Sequence, residues 1–179
     1  MCFKNKLIIA LALVAVGIIG RFIPHLWNMT PIAGIAILSG ARLGFRWGFG
    51  LPILTMFIAD IFIGFYSMPI MFAVYFSFAL SGVAGFLVRK TGKVGMILSG
   101  SILSALFFFL VTNGAVWAFG TMYPHTLFGL MMSYAAGLPF FQNQIIGDLF
   151  FTSALFAVWE VFDYATPFLR IRFKTRSVS

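Results

Sequence analysis

The sequence predicts an all-α, polytopic membrane protein, with six transmembrane helices in a single domain over residues 1–179 and both termini cytoplasmic. Three observations carry this. Of the residues, 61% are hydrophobic and 9% charged, with a mean hydropathy of +1.04, whereas a soluble domain carries about a quarter charged residues. Apolar runs near the length of a bilayer span recur along the chain. The basic residues fall on alternate connections between those runs.

Taken in order, the first span covers 7–23, with Lys6 and Arg21 placed to snorkel toward opposite interfaces. Lys4 and Lys6 before an apolar run resemble a signal peptide, but no small-x-small cleavage site follows, so the run is expected to stay as a helix. Pro24 to Pro31 reads as a loop, with Thr30 placed to cap the helix that Pro31 starts. The second span covers 31–44 and the third 47–66. Ser67-Met68-Pro69 turns the chain into the fourth, 69–88, and a basic turn at 89–93 leads to the fifth, 94–119. Leu127 to Leu138 is apolar but too short to cross, so a short interfacial or re-entrant helix is expected around 126–138. The sixth span is 142–164, followed by a basic, frayed tail over 165–179.

Placing both termini inside puts Lys4, Lys6, Arg42, Arg46, Arg89, Lys90, Lys93, Arg170, Arg172, Lys174 and Arg176 on the cytoplasmic side. Of the twelve basic residues only Arg21 is left outside, the distribution that the positive-inside rule expects. The formal charge of +8 is thereby explained by topology and membrane lipid, and nucleic acid is not expected as a partner.

Polar residues then fall at one depth. Asp60 lies six residues before the outer end of the third span and Asp148 six residues into the last, each about 9 Å below the surface at 1.5 Å per residue. Asn113 falls near that level, with Trp117 one turn above it; Asn143 crowns the last span and Tyr75 lies six residues into the fourth. Intramembrane ionisable groups are expensive, so they are candidates for function. The layer predicts a substrate pocket of Asp60, Asn113, Asp148, Asn143, Trp117 and Tyr75, covered by Trp27 and Asn28. The competing expectation is a structural network in which Asp60 or Asp148 pairs with Arg21 or a histidine. Two acids hint at a cationic or amine-bearing solute, although a protonated aspartate serves a neutral one equally well.

Ala36, Gly40, Gly44 and Gly48 recur every four residues, a small-residue stripe that lets another helix approach closely. That helix is either internal or a partner's, and Arg42 and Arg46 at the same edge fit docking of a cytoplasm-facing partner. Glu160 and Asp163 are expected to meet the basic tail or Arg89. His25 and His125 stand alone in loops, with no metal-ligand spacing, and there is one cysteine, Cys2. No catalytic constellation, phosphate loop or cofactor motif is present, so neither an enzyme nor a metal or cofactor site is expected.

The junction Gly40-Ala41-Arg42-Leu43-Gly44, after a proline-started helix, resembles the G-P-R-x-G junction in substrate-binding (S) components of energy-coupling-factor transporters, with alanine in place of the proline. The segments TPIAGIAILSGA, ADIFIGFY, TNGAVW, YPHT and LPFFQNQIIGDLFF are similar to an uncharacterised bacterial six-helix membrane family. The resemblance covers about residues 7–165. It implies a bacterial cytoplasmic-membrane protein that binds a vitamin-like micronutrient and works with a membrane coupling subunit and two cytoplasmic ATPases. S components commonly dock through alanines four apart in the first helix; Ala10, Ala12 and Ala15 are out of that register. A solitary channel or secondary carrier using the same carboxylates, and a structural accessory subunit, are the other readings of the sequence.

Overall fold

The structure, a computed structural model, describes residues 3–23, 28–89 and 93–176, with side chains described between 5 and 164 of these. The described residues form six helices and no strand: α1 (Phe3–Phe22), α2 (Ile32–Arg42), α3 (Phe45–Ile63), α4 (Met68–Val88), α5 (Val94–Phe119) and α6 (Leu127–Arg176). Five are long and apolar enough to cross a membrane, the make-up of a multi-pass membrane protein. Leu11, Ile61, Phe62, Phe72 and Leu103 are among many large apolar side chains that face outward, as helices surrounded by lipid require and water does not tolerate.

α2 is the exception in length and the centre of the fold. Its 11 residues span about 16 Å, half of a hydrocarbon core. It lies against all five other helices, and every residue from Ile32 to Gly40 is buried. The sequence expectation of a span over 31–44 therefore names the right helix in a different role. It reverses the chain but shows lipid almost nothing. Ser39, fully buried, returns its hydroxyl to Ile35 O and Ala36 O, which satisfies its only polar group in the apolar interior.

Gly44 ends α2 and starts α3. Its φ of +109° is a backbone conformation that glycine adopts freely. Beyond that turn the two helices pack at glycines: a Cβ on Gly48 would lie 2.5 Å from Gly40 Cα, and one on Gly40 would lie 2.9 Å from Phe86 N. Gly82 of α4 meets the Gly48 backbone, and Gly85 meets that of Ile37. Gly40 and Gly48 thus mediate contacts among α2, α3 and α4, and Ala36 is fully buried. This corrects their expected role in partner docking, because backbone atoms of the same chain already occupy the surface they offer. Gly44 makes the turn, and Arg42 and Arg46 remain exposed.

Long-range polar contacts show which helix ends lie together. Lys6 near the start of α1 donates to Leu43 O at 3.0 Å, and Arg42 pairs with Glu160 of α6. Arg21 at the far end of α1 meets Asp60 near the end of α3. The bundle thus has a basic end, holding Lys6, Arg42, Arg46 and Arg89, and a pocket end, holding Arg21 and Asp60. Glu160 meets Arg42, and Arg89 lies over the Phe86 ring at 4.1 Å, while the tail's side chains lie outside the described residues.

Two boundaries differ from expectation. α3 stops at Ile63, where Gly64 takes φ +110°, so Asp60 lies about one turn from its end. α6 is one helix of 50 residues, so the short helix expected at 126–138 and the span expected at 142–164 are continuous through Pro139. Proline is tolerated within membrane helices where neighbours satisfy the freed backbone groups. Thr126 Oγ1 accepts from Gly129 N, capping the true start. The helical backbone continues to Arg176, where a frayed tail was expected.

Candidate functional site: a polar cavity at the pocket end

Between the helix ends lies a cavity of ≈ 210 Å³ lined by Arg21, Asn28, Thr30, Met56, Tyr66, Val74, Phe78, Phe108 and Gln144. A second space of ≈ 90 Å³ adjoins it and shares Asn28, Phe108 and Gln144; Thr112, Asn113 and Gly137 are among its further lining. Asn28 holds φ +64°, a left-handed conformation that asparagine tolerates better than most side chains. α1, α3, α4, α5, α6 and the connections before α2 and α4 each contribute to the walls.

Arg21 lines the larger space, and its charge is met by Asp60. Its Nη1 is 2.8 Å from Asp60 Oδ1, an ionic contact without good hydrogen-bond alignment, and donates to Met56 Sδ at 3.0 Å. The Tyr75 hydroxyl donates to the other oxygen, Oδ2, at 2.6 Å. Asp60 is 0% exposed and does not line either cavity. Of the two roles the sequence allowed it, the geometry is that of an internal counter-ion, with Tyr75 as its second partner. Tyr66, in the α3–α4 connection, adds a hydroxyl to the wall. Burial and then the nearby Asp60 push its phenol up to about 12, so it stays protonated in ordinary conditions.

Asp148 occupies the corresponding place on α6. It is 2% exposed, is hydrogen-bonded by the Gln144 side chain, and its Oδ2 has no hydrogen-bond partner among the described residues. Gln144, one turn before it, is the residue that reaches the cavity. Asn113 does line the smaller space, where its Nδ2 donates to Phe109 O at 2.8 Å and its backbone carbonyl accepts from Ser133 Oγ at 2.9 Å.

Other expected site residues fall elsewhere. Asn143 does not line either cavity, because its side chain leaves α6 at a different angle from Gln144. The Trp117 indole N–H donates to Pro124 O and Thr126 O, both at 3.1 Å, and so fastens the α5–α6 connection. His125 packs edge-on against that ring and approaches Gly120 O at 3.3 Å. Trp27 lies outside the described residues, as does His25. Depth counting located the layer but not the angle at which each side chain leaves its helix. Thr30, Tyr66 and Phe108 were missed because no charge or spacing marked them, and Arg21 was read only as an interface anchor or a pairing partner. No cluster of metal-ligating residues occurs among the described residues.

Residues 2–169 match a family whose description reads "Family of unknown function (DUF6580)". The chain belongs to that family. Neither the curated proteins nor the solved structures contain a significant match to the chain. The family thus brings no activity to the site, and the geometry of the cavity has to be interpreted on its own chemistry.

Proposed function

We propose that this protein binds a small solute within the membrane and serves its uptake, as the substrate-specific subunit of an ATP-driven importer. The carrying observation is the cavity of ≈ 210 Å³ at the pocket end. It combines a guanidinium, amides and hydroxyls with apolar walls from Met56, Val74, Phe78 and Phe108, the mixture typical of small-molecule sites. In this reading the basic end faces the cytoplasm, because Lys6, Arg42, Arg46, Arg89 and Lys93 gather there, and the cavity faces outward. α2 is then a half-length helix enclosed by five spans and reverses the chain like a sixth. A coupling partner would meet the exposed basic end around Arg42 and Arg46, since the glycine contacts are internal. The chain itself carries no nucleotide-binding motif, so hydrolysis would belong to two partner ATPases.

Mass spectrometry of protein purified in mild detergent tests the reading. A small molecule should be retained by the wild type and lost when Phe78→Trp fills the cavity. Failure of the wild type to hold any solute, or undiminished retention by Phe78→Trp, with both folded, removes the pocket from the proposal. A second reading, a solitary carrier that couples transport to a cation, is favoured by the unpartnered oxygen of Asp148. Purification from native membranes separates them: ATPases and a membrane coupling subunit should accompany the first and be absent from the second.

A further inference from the structure

Resting on the pocket reading, we infer that the ligand is an uncharged, flat solute bearing an amide-like donor–acceptor pair, and that Asp60 sets this charge selectivity. The argument starts from the charges near the cavity. Arg21 is the one charged side chain lining it among the described residues, and Asp60 neutralises it from 2.8 Å behind. Asp60 keeps its place through the Tyr75 hydroxyl. The site is therefore closed electrically before a ligand enters. A cation would meet the guanidinium, and an anion would have to draw Arg21 from a buried carboxylate. In a low-dielectric surrounding each leaves an uncompensated charge, which costs far more than an unmade neutral hydrogen bond.

The remaining groups act through hydrogen bonds. Arg21 has only donors, so it recognises an acceptor on the ligand. Gln144 lines the cavity with an amide that both donates and accepts, so it can take up a ligand N–H beside the acceptor that Arg21 binds. Phe108 and Phe78, with ring centres 4.8 Å apart, supply an aromatic wall beside these groups. An acceptor and a donor on one flat frame is what a carboxamide, lactam or ureido group offers. This reverses the inclination toward a cationic solute that two aspartates suggest.

Three probes with one ring and different charges test it: benzamide, benzoate and benzylamine. Thr30→Cys places a thiol in the cavity wall, in a Cys2→Ser background that removes the other thiol. The readout is protection of that thiol from iodoacetamide. Benzamide should slow alkylation at concentrations at least tenfold lower than benzoate or benzylamine. Asp60→Asn, which retains an acceptor for Tyr75, should let benzoate protect at least tenfold better, while benzamide changes by no more than a few-fold. The double variant Arg21→Gln/Asp60→Asn leaves the site uncharged again and should restore the benzamide preference, and it stands in for the single variant should that fail to fold. Equal or better protection of the wild-type background by benzoate or benzylamine overturns the inference while leaving the pocket intact. A thiol that iodoacetamide cannot reach, or that no probe protects, overturns the inference and the pocket reading together.

Discussion

Replacing Gly48 by alanine should destabilise the bundle by forcing α3 away from α2, although the position lies near the basic end and far from the cavity. The added Cβ would lie 2.5 Å from Gly40 Cα, 2.8 Å from Gly40 N and 2.9 Å from Gly82 O. All three are backbone atoms, so no side-chain rotation relieves the overlap. Ordinary contact begins near 3.4 Å, so the helices must part by roughly 0.9 Å in a densely packed contact. Overpacking of this kind costs about 1–3 kcal/mol, or about 2–12 °C in Tm for a chain of this size on soluble-protein scaling. The control is two residues away. A Cβ on Gly50 meets nothing within 4 Å, and alanine there should gain up to about 1 kcal/mol from helix propensity. Thermal unfolding in detergent, followed by tryptophan fluorescence, measures both. If Gly48→Ala and Gly50→Ala melt within a degree of each other, the internal role of the glycine stripe is refuted and a docking role regains its place.

Arg21→Met should cost about 3–5 kcal/mol, because it strands a buried carboxylate, and Arg21→Met/Asp60→Leu should recover much of the loss; urea or thermal unfolding of both variants checks this. Gly137→Ala should alter the smaller cavity more than stability, since its Cβ would lie 2.5 Å from Asn113 Oδ1, the end of a side chain that can turn; ligand retention should change while Tm stays within about 3 °C. Glu160→Gln should lower stability by less than about 1 kcal/mol, as the Arg42–Glu160 pair is largely exposed, and its small effect should fade further in high salt.

How far the sequence revealed this architecture depended on which physical signal each element carried. Composition and apolar length located α1, α3, α4 and α5 closely, because lipid imposes both on a spanning helix. The same signal could not reveal that α2 is enclosed, since a helix wrapped by protein and one wrapped by lipid are equally apolar. α6 is divided by the sequence because the apolar run 127–138 alone is too short to cross; the continuous helix Leu127–Arg176 packs along α5, as at Phe109–Phe141 with ring centres 4.6 Å apart. At the site, depth along each helix was legible but angle around it was not. That is why Asp60 and Asp148 were assigned to the cavity surface while Arg21 and Gln144, their partners, are the groups that line it.

The two aspartates then present one problem solved twice. A carboxylate inside a membrane is costly, and exposing it to a ligand would restrict that ligand to a cation. Asp60 is instead covered by Arg21 and Tyr75, and Asp148 by Gln144. Each acid lies behind a longer side chain that lines the cavity, and the two differ in hydrogen-bonding capacity: a guanidinium only donates, while an amide donates and accepts. Placing the charges one layer behind the cavity fixes these groups without giving the cavity a net charge. The arrangement also separates stability from selectivity. Removing Arg21 should be felt throughout the fold, whereas changing what Gln144 offers should be felt first by the solute.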